Sequence, residues 1–232
     1  MKLGIFSDPH YSSQEVTSKP PRYNNKSLGK IKKAYEYFIN EKCDLVVCLG
    51  DLTDTEETHE EEISNLKKIA DVIKSCPIPT FCLMGNHDAN VLTVEDFYSN
   101  IGLKEPKYIE MNGRHLIFLD ACFFHDGRHY APGGTEWIDT FVPNEEELKK
   151  KLKEIEAPAY IFIHQNIDPA IGADERIVNS NNIFNIIKES GVVKAVFQGH
   201  CHSGKRSEYD GIKYITLPAM CEHEGAFYIF EI

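Results

Sequence analysis

Short apolar runs alternate with amphipathic stretches along most of the chain. LGIFS, DLVVCLG, PTFCLMG, HLIFLD, AYIFIH and KAVFQG are each continuous enough in hydrophobicity to predict a strand buried on both faces. Between them the apolar positions take helical spacing. Leu28, Ile31, Tyr35, Phe38 and Ile39 predict one helix, and Ile63, Leu66, Ile69, Ala70 and Ile73 a second. A third helix is expected after Asn144, with Glu145, Glu146 and Glu147 in its first turn and lysines after them, an order that suits an N-cap and the helix dipole. A fourth covers 180–190 and is closed by Gly191. Asn112-Gly113 and Asp210-Gly211 are two-residue turn signals between strand-like segments, so each predicts a hairpin. AFYIFEI adds a closing strand. No repeat, low-complexity tract or flexible linker divides the sequence, so residues 1–232 are expected to form a single α/β domain of stacked sheets flanked by helices.

The apolar runs are only about half a dozen residues long, against the ~20 that a membrane-spanning helix needs, so no membrane partner is expected. The start MKLGIFSDPH runs straight into polar residues and reads as a first strand, not a signal peptide, which leads to the expectation of a cytoplasmic protein. Seven cysteines without a CxxC pair fit reduced thiols packed as small hydrophobes. A formal net charge of −11 disfavours long nucleic acid as a partner, because phosphate-backbone binding wants a basic face. It does not disfavour a small phosphate substrate, since bound divalent ions reverse the local sign at a site.

Candidate chemistry sits where the runs end. LGIFS leads into Asp8-Pro9-His10, DLVVCLG into Asp51-Leu52-Thr53-Asp54, PTFCLMG into Asn86-His87-Asp88, AYIFI into His164, and KAVFQG into His200-Cys201-His202. Ligands of open α/β sheets bind outside the carboxyl ends of strands, so five such ends would deliver these groups to one rim. Imidazole suits zinc, iron and manganese, and carboxylate and amide oxygens favour manganese-like ions. Seven donors are too many for one tetrahedral zinc but right for two ions sharing a bridging carboxylate, the arrangement used for in-line phosphoryl transfer to water.

Asp8-x-His10, Gly50-Asp51-x-x-Asp54, Gly85-Asn86-His87-Asp88, His164 and Gly199-His200-x-His202, in this order, resemble the calcineurin-like metallophosphoesterase superfamily. The resemblance implies a four-layer α/β/β/α sandwich and two divalent ions (Mn, Fe or Zn). One ion would take Asp8, His10 and His202 and the other Asn86, His164 and His200, with Asp51 bridging. It further implies hydrolysis of a phosphodiester or phosphoanhydride by a metal-bridging hydroxide. His87 would face the leaving group as an acid or as a stabiliser of developing charge, with Asp54 orienting it. Arg22-Tyr23 with Ser27-Leu28, Glu136-Trp137-Ile138 and Gly211-Ile212-Lys213-Tyr214 through Leu217-Pro218-Ala219-Met220 look like the manganese-dependent ADP-ribose/CDP-alcohol diphosphatase branch. That branch often carries Gln at the second ligand position, whereas this chain has His10. A small nucleotide-like substrate is therefore expected. The alternatives are a phosphomonoesterase with the same ions, a two-metal amide or ester hydrolase, and a non-catalytic scaffold.

Other residues keep two readings. Asp88 and Asp54 are candidate helix N-caps as well as site residues. Cys201 lies between two candidate ligands, and alternation along an extended segment would turn it away to pack. In the loop 11–25, Arg22 could pair with a substrate phosphate and Tyr11 or Tyr23 could stack on a base, or the loop could be polar surface. The segment 123–129 is a similar candidate. The acidic run Glu56 to Glu62 is expected to be a solvated helix start.

Overall fold

Every apolar run forms a strand, and both turn signals close a hairpin. The computed structural model describes residues 1–14, 18, 20–130 and 139–232. In chain order the elements are β1 (Lys2–Phe6), α1 (Ser27–Asn40), β2 (Leu45–Cys48), α2 (His59–Lys74), β3 (Thr80–Cys82), α3 (Asn86–Val91), α4 (Val94–Ile101), β4 (Tyr108–Met111) and β5 (Arg114–Leu119). They continue with α5 (Glu145–Glu154), β6 (Ala159–Ile163), α6 (Ser180–Ser190), β7 (Val193–Gln198), β8 (Lys205–Tyr209), β9 (Ile212–Thr216) and β10 (Phe227–Glu231).

Two mixed sheets result. The first has the order β10-β1-β2-β3, parallel except for β10. The second has the order β4-β5-β6-β7-β9-β8, with four parallel strands inside and an antiparallel strand at each edge. Asn112, Gly113, Asp210 and Gly211 all have positive φ (50°, 69°, 52° and 79°), the backbone of a hairpin turn that matches the strand twist.

Alternation along the strands sorts the apolar side chains into three cores. Leu3 and Ile5 of β1, Leu45 and Val47 of β2, and Tyr160 and Phe162 of β6 pack between the sheets. Phe6, Val46 and Cys48 turn the other way, onto Ile31, Ala34, Tyr35 and Phe38 of α1 and Leu66, Ile69 and Ile73 of α2. Ile161 and Ile163 of β6 and Val196 of β7 pack against Leu148 and Leu152 of α5 and Ile183 and Ile187 of α6. The layers are therefore α/β/β/α. One close approach is built into the outer core of the first sheet: a Cβ on Gly4 would lie 2.6 Å from the Phe38 ring, so α1 sits flush on β1.

Two local expectations need correction, and two short helices add to those the sequence pattern predicts. Asn144 does precede α5, but at φ 60° its side chain makes no capping bond; Asn179 ties this corner instead, donating to Val142 O (2.8 Å) and Glu145 Oε1 (2.8 Å). The acidic run is not all solvated. Glu62 is fully buried and accepts from Thr53 Oγ1 (2.5 Å) and Glu56 N (2.7 Å). Helices α3 and α4 have no counterpart in the periodicity reading, being one to two turns each. Their signal is local: Thr93 Oγ1 accepts from Asp96 N (3.1 Å) and Asp96 Oδ2 from Thr93 N (3.3 Å), a reciprocal cap. All seven cysteines are unpaired thiols. No described helix is long and apolar enough to cross a membrane.

Candidate functional site

The parallel strands of both sheets end at one rim, and the chain there turns through unusual backbone. Asp8, His10, Asp51 and His200 all have positive φ (53°, 42°, 51° and 67°), a conformation that costs energy for side chains other than glycine and gathers at functional sites. Asp8 and His10 come after β1, Asp51 after β2, and Asn86 opens α3 after β3. His164 comes after β6, and His200 and His202 after β7. Five segments far apart in sequence thus bring all seven candidate donors together.

Asp51 Oδ2 lies at the centre of the group, 3.4 Å from His10 Nε2 and 3.2 Å from His164 Nε2. On one side, His10 Nε2 and His202 Nε2 approach to 3.1 Å, with Asp8 Oδ1 3.8 and 3.7 Å from them. On the other, Asn86 Oδ1 lies 3.1 Å from His164 Nε2 and 2.9 Å from His200 Nδ1. Glycines permit the crowding. A Cβ on Gly85 would fall 2.1 Å from Asp51 Oδ1, and one on Gly199 2.7 Å from Asp8 Oδ2.

The tautomers decide what this geometry means. His10 Nδ1 faces the Asp54 carboxylate (2.8 Å), His202 Nδ1 faces Glu222 Oε1 (2.5 Å), and His164 Nδ1 faces Leu49 O (3.0 Å). Those oxygens accept, so each Nδ1 carries a proton and each ring turns its Nε2 to the centre. Lone pairs and carboxylate oxygens facing one another at 3–4 Å repel unless a cation lies among them, so the donor set fits divalent ions. The electrostatics agree. Burial pushes the Asp51 carboxyl up, but His164, His87 and His10 outweigh it and hold it well below the usual range. Burial pulls His164 down, yet Asp51 more than offsets this and lifts it to about 9.

The other candidate residues divide. His87 N donates to Asp51 Oδ1 (2.9 Å), and its ring stands edge-on to that of His10, with centroids 4.5 Å apart. Asp54 does not hydrogen-bond His87, which lies 3.6 Å away and meets Thr55 Oγ1 (3.1 Å) instead. Its carboxylate holds His10 and also accepts from Arg22 NH1 (3.0 Å) and Asn24 Nδ2 (2.6 Å), because the 22–24 turn folds onto the same side as β1. Arg22 is therefore committed to Asp54 at the edge of the site. Tyr11 is buried in the outer core of the first sheet, paired with Thr53 along the backbone, and cannot stack on a ligand. Tyr23 is 44% exposed, with Lys26 Nζ 4.8 Å above its ring. Asp88 is not a simple cap: it accepts from Leu52, Thr53 and Gly85 N and so pins the β2 loop to α3. Cys201 is half-buried beside Ser203. Glu136, Trp137 and Ile138 lie outside the described residues.

Three residues at the site carry no strand-end signal. Glu222 orients His202 from a turn twenty residues further on. Asn24 bridges His10 O (2.7 Å) and Asp54. The Cys221 thiol comes within 4.8 Å of donor atoms of His10 and His202, and burial raises its pKa. Buried Lys30 holds this turn through Met220 O (2.8 Å) and Cys221 O (3.3 Å).

Known proteins share this arrangement of the chain. The calcineurin-like phosphoesterase family matches residues 1–204. A 3',5'-cyclic adenosine monophosphate phosphodiesterase from Haemophilus influenzae is 24% identical over 227 residues, covering 95% of this chain and 77% of that protein. A 3',5'-cyclic-nucleotide phosphodiesterase from Nostoc is 25% identical over 228 residues, covering 95% and 79%. A crystal structure of a dimetal phosphatase from Danio rerio superimposes with a TM-score of 0.81 at 17% identity, over 95% of this chain and 88% of that one, so the fold is the same. A match that takes in every strand end from Asp8 to His202 leaves one conclusion: this chain belongs to the calcineurin-like phosphoesterase family and is a metal-dependent phosphoesterase.

Proposed function

We propose that the protein hydrolyses a small nucleotide-like phosphodiester, a cyclic nucleotide first among them, at two divalent ions that share Asp51. The observation that carries the reading is the position of Asp51 Oδ2 between His10 Nε2 and His164 Nε2, a carboxylate oxygen with an imidazole nitrogen on either side. Asp8, His10 and His202 would hold one ion and Asn86, His164 and His200 the other. Two such ions would supply an ionised water at neutral pH and neutralise charge on the phosphoryl oxygens. The mix of imidazole, carboxylate and amide donors suits manganese or iron. The cyclic nucleotide phosphodiesterases among its relatives support the diester class, although at about a quarter identity they do not fix the base.

The remaining residues position and polarise. Asp54 and Glu222 hold the His10 and His202 rings in the tautomer that presents Nε2, which makes both rings better donors. The Asp51 carboxylate fixes the backbone of His87, whose ring edge faces the same centre. Burial pulls the His87 pKa to about 4, more than Asp51 and Asp54 push it up. An uncharged imidazole at neutral pH donates one N–H, so it serves as a hydrogen-bond donor to the developing charge on the leaving oxygen rather than as a standing acid. Arg22, held by Asp54 through one N–H, would offer its remaining N–H groups to a non-reacting phosphate or ribose oxygen.

The test is a substrate panel on protein reconstituted with manganese: 3',5'-cyclic nucleotides, a chromogenic diester, nucleotide diphosphates and phosphomonoesters. The proposal expects diester hydrolysis that chelation abolishes and manganese restores. Hydrolysis of monoesters alone, or no metal dependence, would remove it.

A further inference from the structure

A second group of donors lies one strand away from the dimetal centre and takes no part in it. Asp120 comes directly after β5, whose last residue Leu119 pairs with Ile163, the residue before His164. After Cys122 the chain makes a tight hairpin. Phe124 N donates to Arg128 O (2.8 Å), Gly127 N to Phe124 O (2.9 Å), and Tyr130 N to Cys122 O (2.6 Å). This fold-back returns His129 to Asp120, and a backbone bridge pairs Phe123 with His129. One ligand atom each from Asp120, Cys122 and His129 then lies within 4.8 Å of the others.

Each donor is aimed. His129 Nδ1 contacts Tyr130 O (3.2 Å), which leaves Nε2 to face Asp120 Oδ2 (3.0 Å). Asp120 Oδ1 accepts from Cys122 N (2.7 Å), so the carboxylate cannot rotate away. The carbonyl behind His129 and the amide behind Asp120 are the support that metal ligands receive in proteins. Cys122 is fully buried, and its sulfur has only long contacts, 3.9 Å to Met84 O and 3.6 Å to Gln165 Nε2. Gln165 supplies an independent sign. Its side chain is fully buried, yet Oε1 accepts no hydrogen bond among the described residues. A half-turn of that amide would put the oxygen where the nitrogen now meets Cys122 Sγ, in exchange for the long Nε2 bonds to Ala121 O (3.4 Å) and Thr140 Oγ1 (3.3 Å). Buried amide oxygens without a partner are rare and call for an explanation, and an ion is one.

We infer that Asp120, Cys122 and His129 form a separate, mononuclear site for a zinc-class ion, with Gln165 Oε1 or water as the fourth donor. Thiolate with imidazole and carboxylate is a donor set for zinc rather than for manganese or magnesium. Bond lengths of ~2.0–2.3 Å imply donor separations of roughly 3.3–3.8 Å around a tetrahedral ion. The present positions reach this by small side-chain shifts, the Asp120–His129 pair opening slightly. Binding would displace the Cys122 thiol proton and the proton shared by Asp120 and His129. The role is structural: the ion would clamp the 122–130 hairpin to the end of β5, at the rim that a substrate crosses.

The test counts ions on the whole 232-residue chain. Wild type, Cys122→Ser and His129→Gln are saturated with zinc, dialysed, and measured by plasma mass spectrometry. The expected result is one equivalent fewer in each variant than in wild type. His129→Gln covers the case in which the buried Cys122→Ser fails to fold. In cobalt-substituted protein, a near-ultraviolet thiolate-to-cobalt absorption should vanish in Cys122→Ser and persist in Asp51→Asn, which separates this site from the shared centre and from Cys221. Equal zinc counts in wild type and His129→Gln, or an absorption that depends on Asp51 instead of Cys122, would overturn the inference.

Discussion

Glu222 gives the sharpest consequence of the geometry, because it touches only one half of the centre. Its carboxylate accepts from His202 Nδ1 at 2.5 Å and meets no described donor of the other half. Glu222→Gln keeps an acceptor oxygen but removes the charge. A hydrogen bond to a charged group contributes about 1.5–3 kcal/mol and a neutral one about 0.5–1.5 kcal/mol, so the difference is about 1–1.5 kcal/mol. That corresponds to roughly a tenfold loss of affinity for one ion. Glu222→Ala also frees the ring to turn, and loss of such a support typically costs about 10–100-fold. Calorimetric titration of the protein with manganese should resolve two binding steps. Only the step assigned to Asp8, His10 and His202 should weaken, by about tenfold in Gln and more in Ala. Equal weakening of both steps, or of neither, would refute the reasoning that His202 depends on Glu222 and that the two halves are separate.

The same contacts lead to other outcomes. His87→Ala should leave the manganese content at the wild-type value by mass spectrometry while lowering kcat by about 10²–10³-fold, the usual cost of a lost donor to developing charge. Gly4→Ala drives a methyl into the Phe38 ring and should destabilise by about 1–3 kcal/mol in urea melts, with wild-type metal content in what remains folded. Burial raises the Glu62 pKa from 4.5 to about 7, against the hydrogen bonds from Thr53 and Glu56. The folded state therefore keeps a proton that the unfolded chain has lost, and stability falls as pH rises from about 4.5 through 7. Glu62→Gln should flatten that slope in ion-free protein and recover about 2–3 kcal/mol at pH 8, by denaturant melts across pH.

Much of the fold is legible because buried parallel strands leave an unambiguous mark. β1, β2, β6 and β7 are covered on both faces, so their sequences are continuously apolar, and each runs into a loop that must bear polar groups. The seven donors are readable for that reason: each stands at or just past the end of such a run. The partner of Asp54 is not readable, because sequence adjacency to Asp51 says nothing about which imidazole the loop turns towards. Glu222 and Asn24 are invisible in the sequence because they reach the site through tertiary packing, one on a turn held by Lys30 and the other on a turn before α1. The buried Glu62 looks like surface because its neighbours are acidic, and only the Thr53 hydroxyl and the Glu56 amide explain its place inside. Helices α3 and α4 escape periodicity because so few turns show no repeating face. The Thr93-x-x-Asp96 cap is the readable trace of α4.

The central claim is that two ions share the Asp51 carboxylate, and electron paramagnetic resonance of the manganese-loaded protein tests it most directly. Manganese ions bridged by one carboxylate at ~3.5–4 Å are exchange-coupled. The account predicts a coupled-pair spectrum in wild type that collapses to isolated manganese in Asp51→Asn. Isolated manganese signals in wild type at two bound equivalents would contradict it.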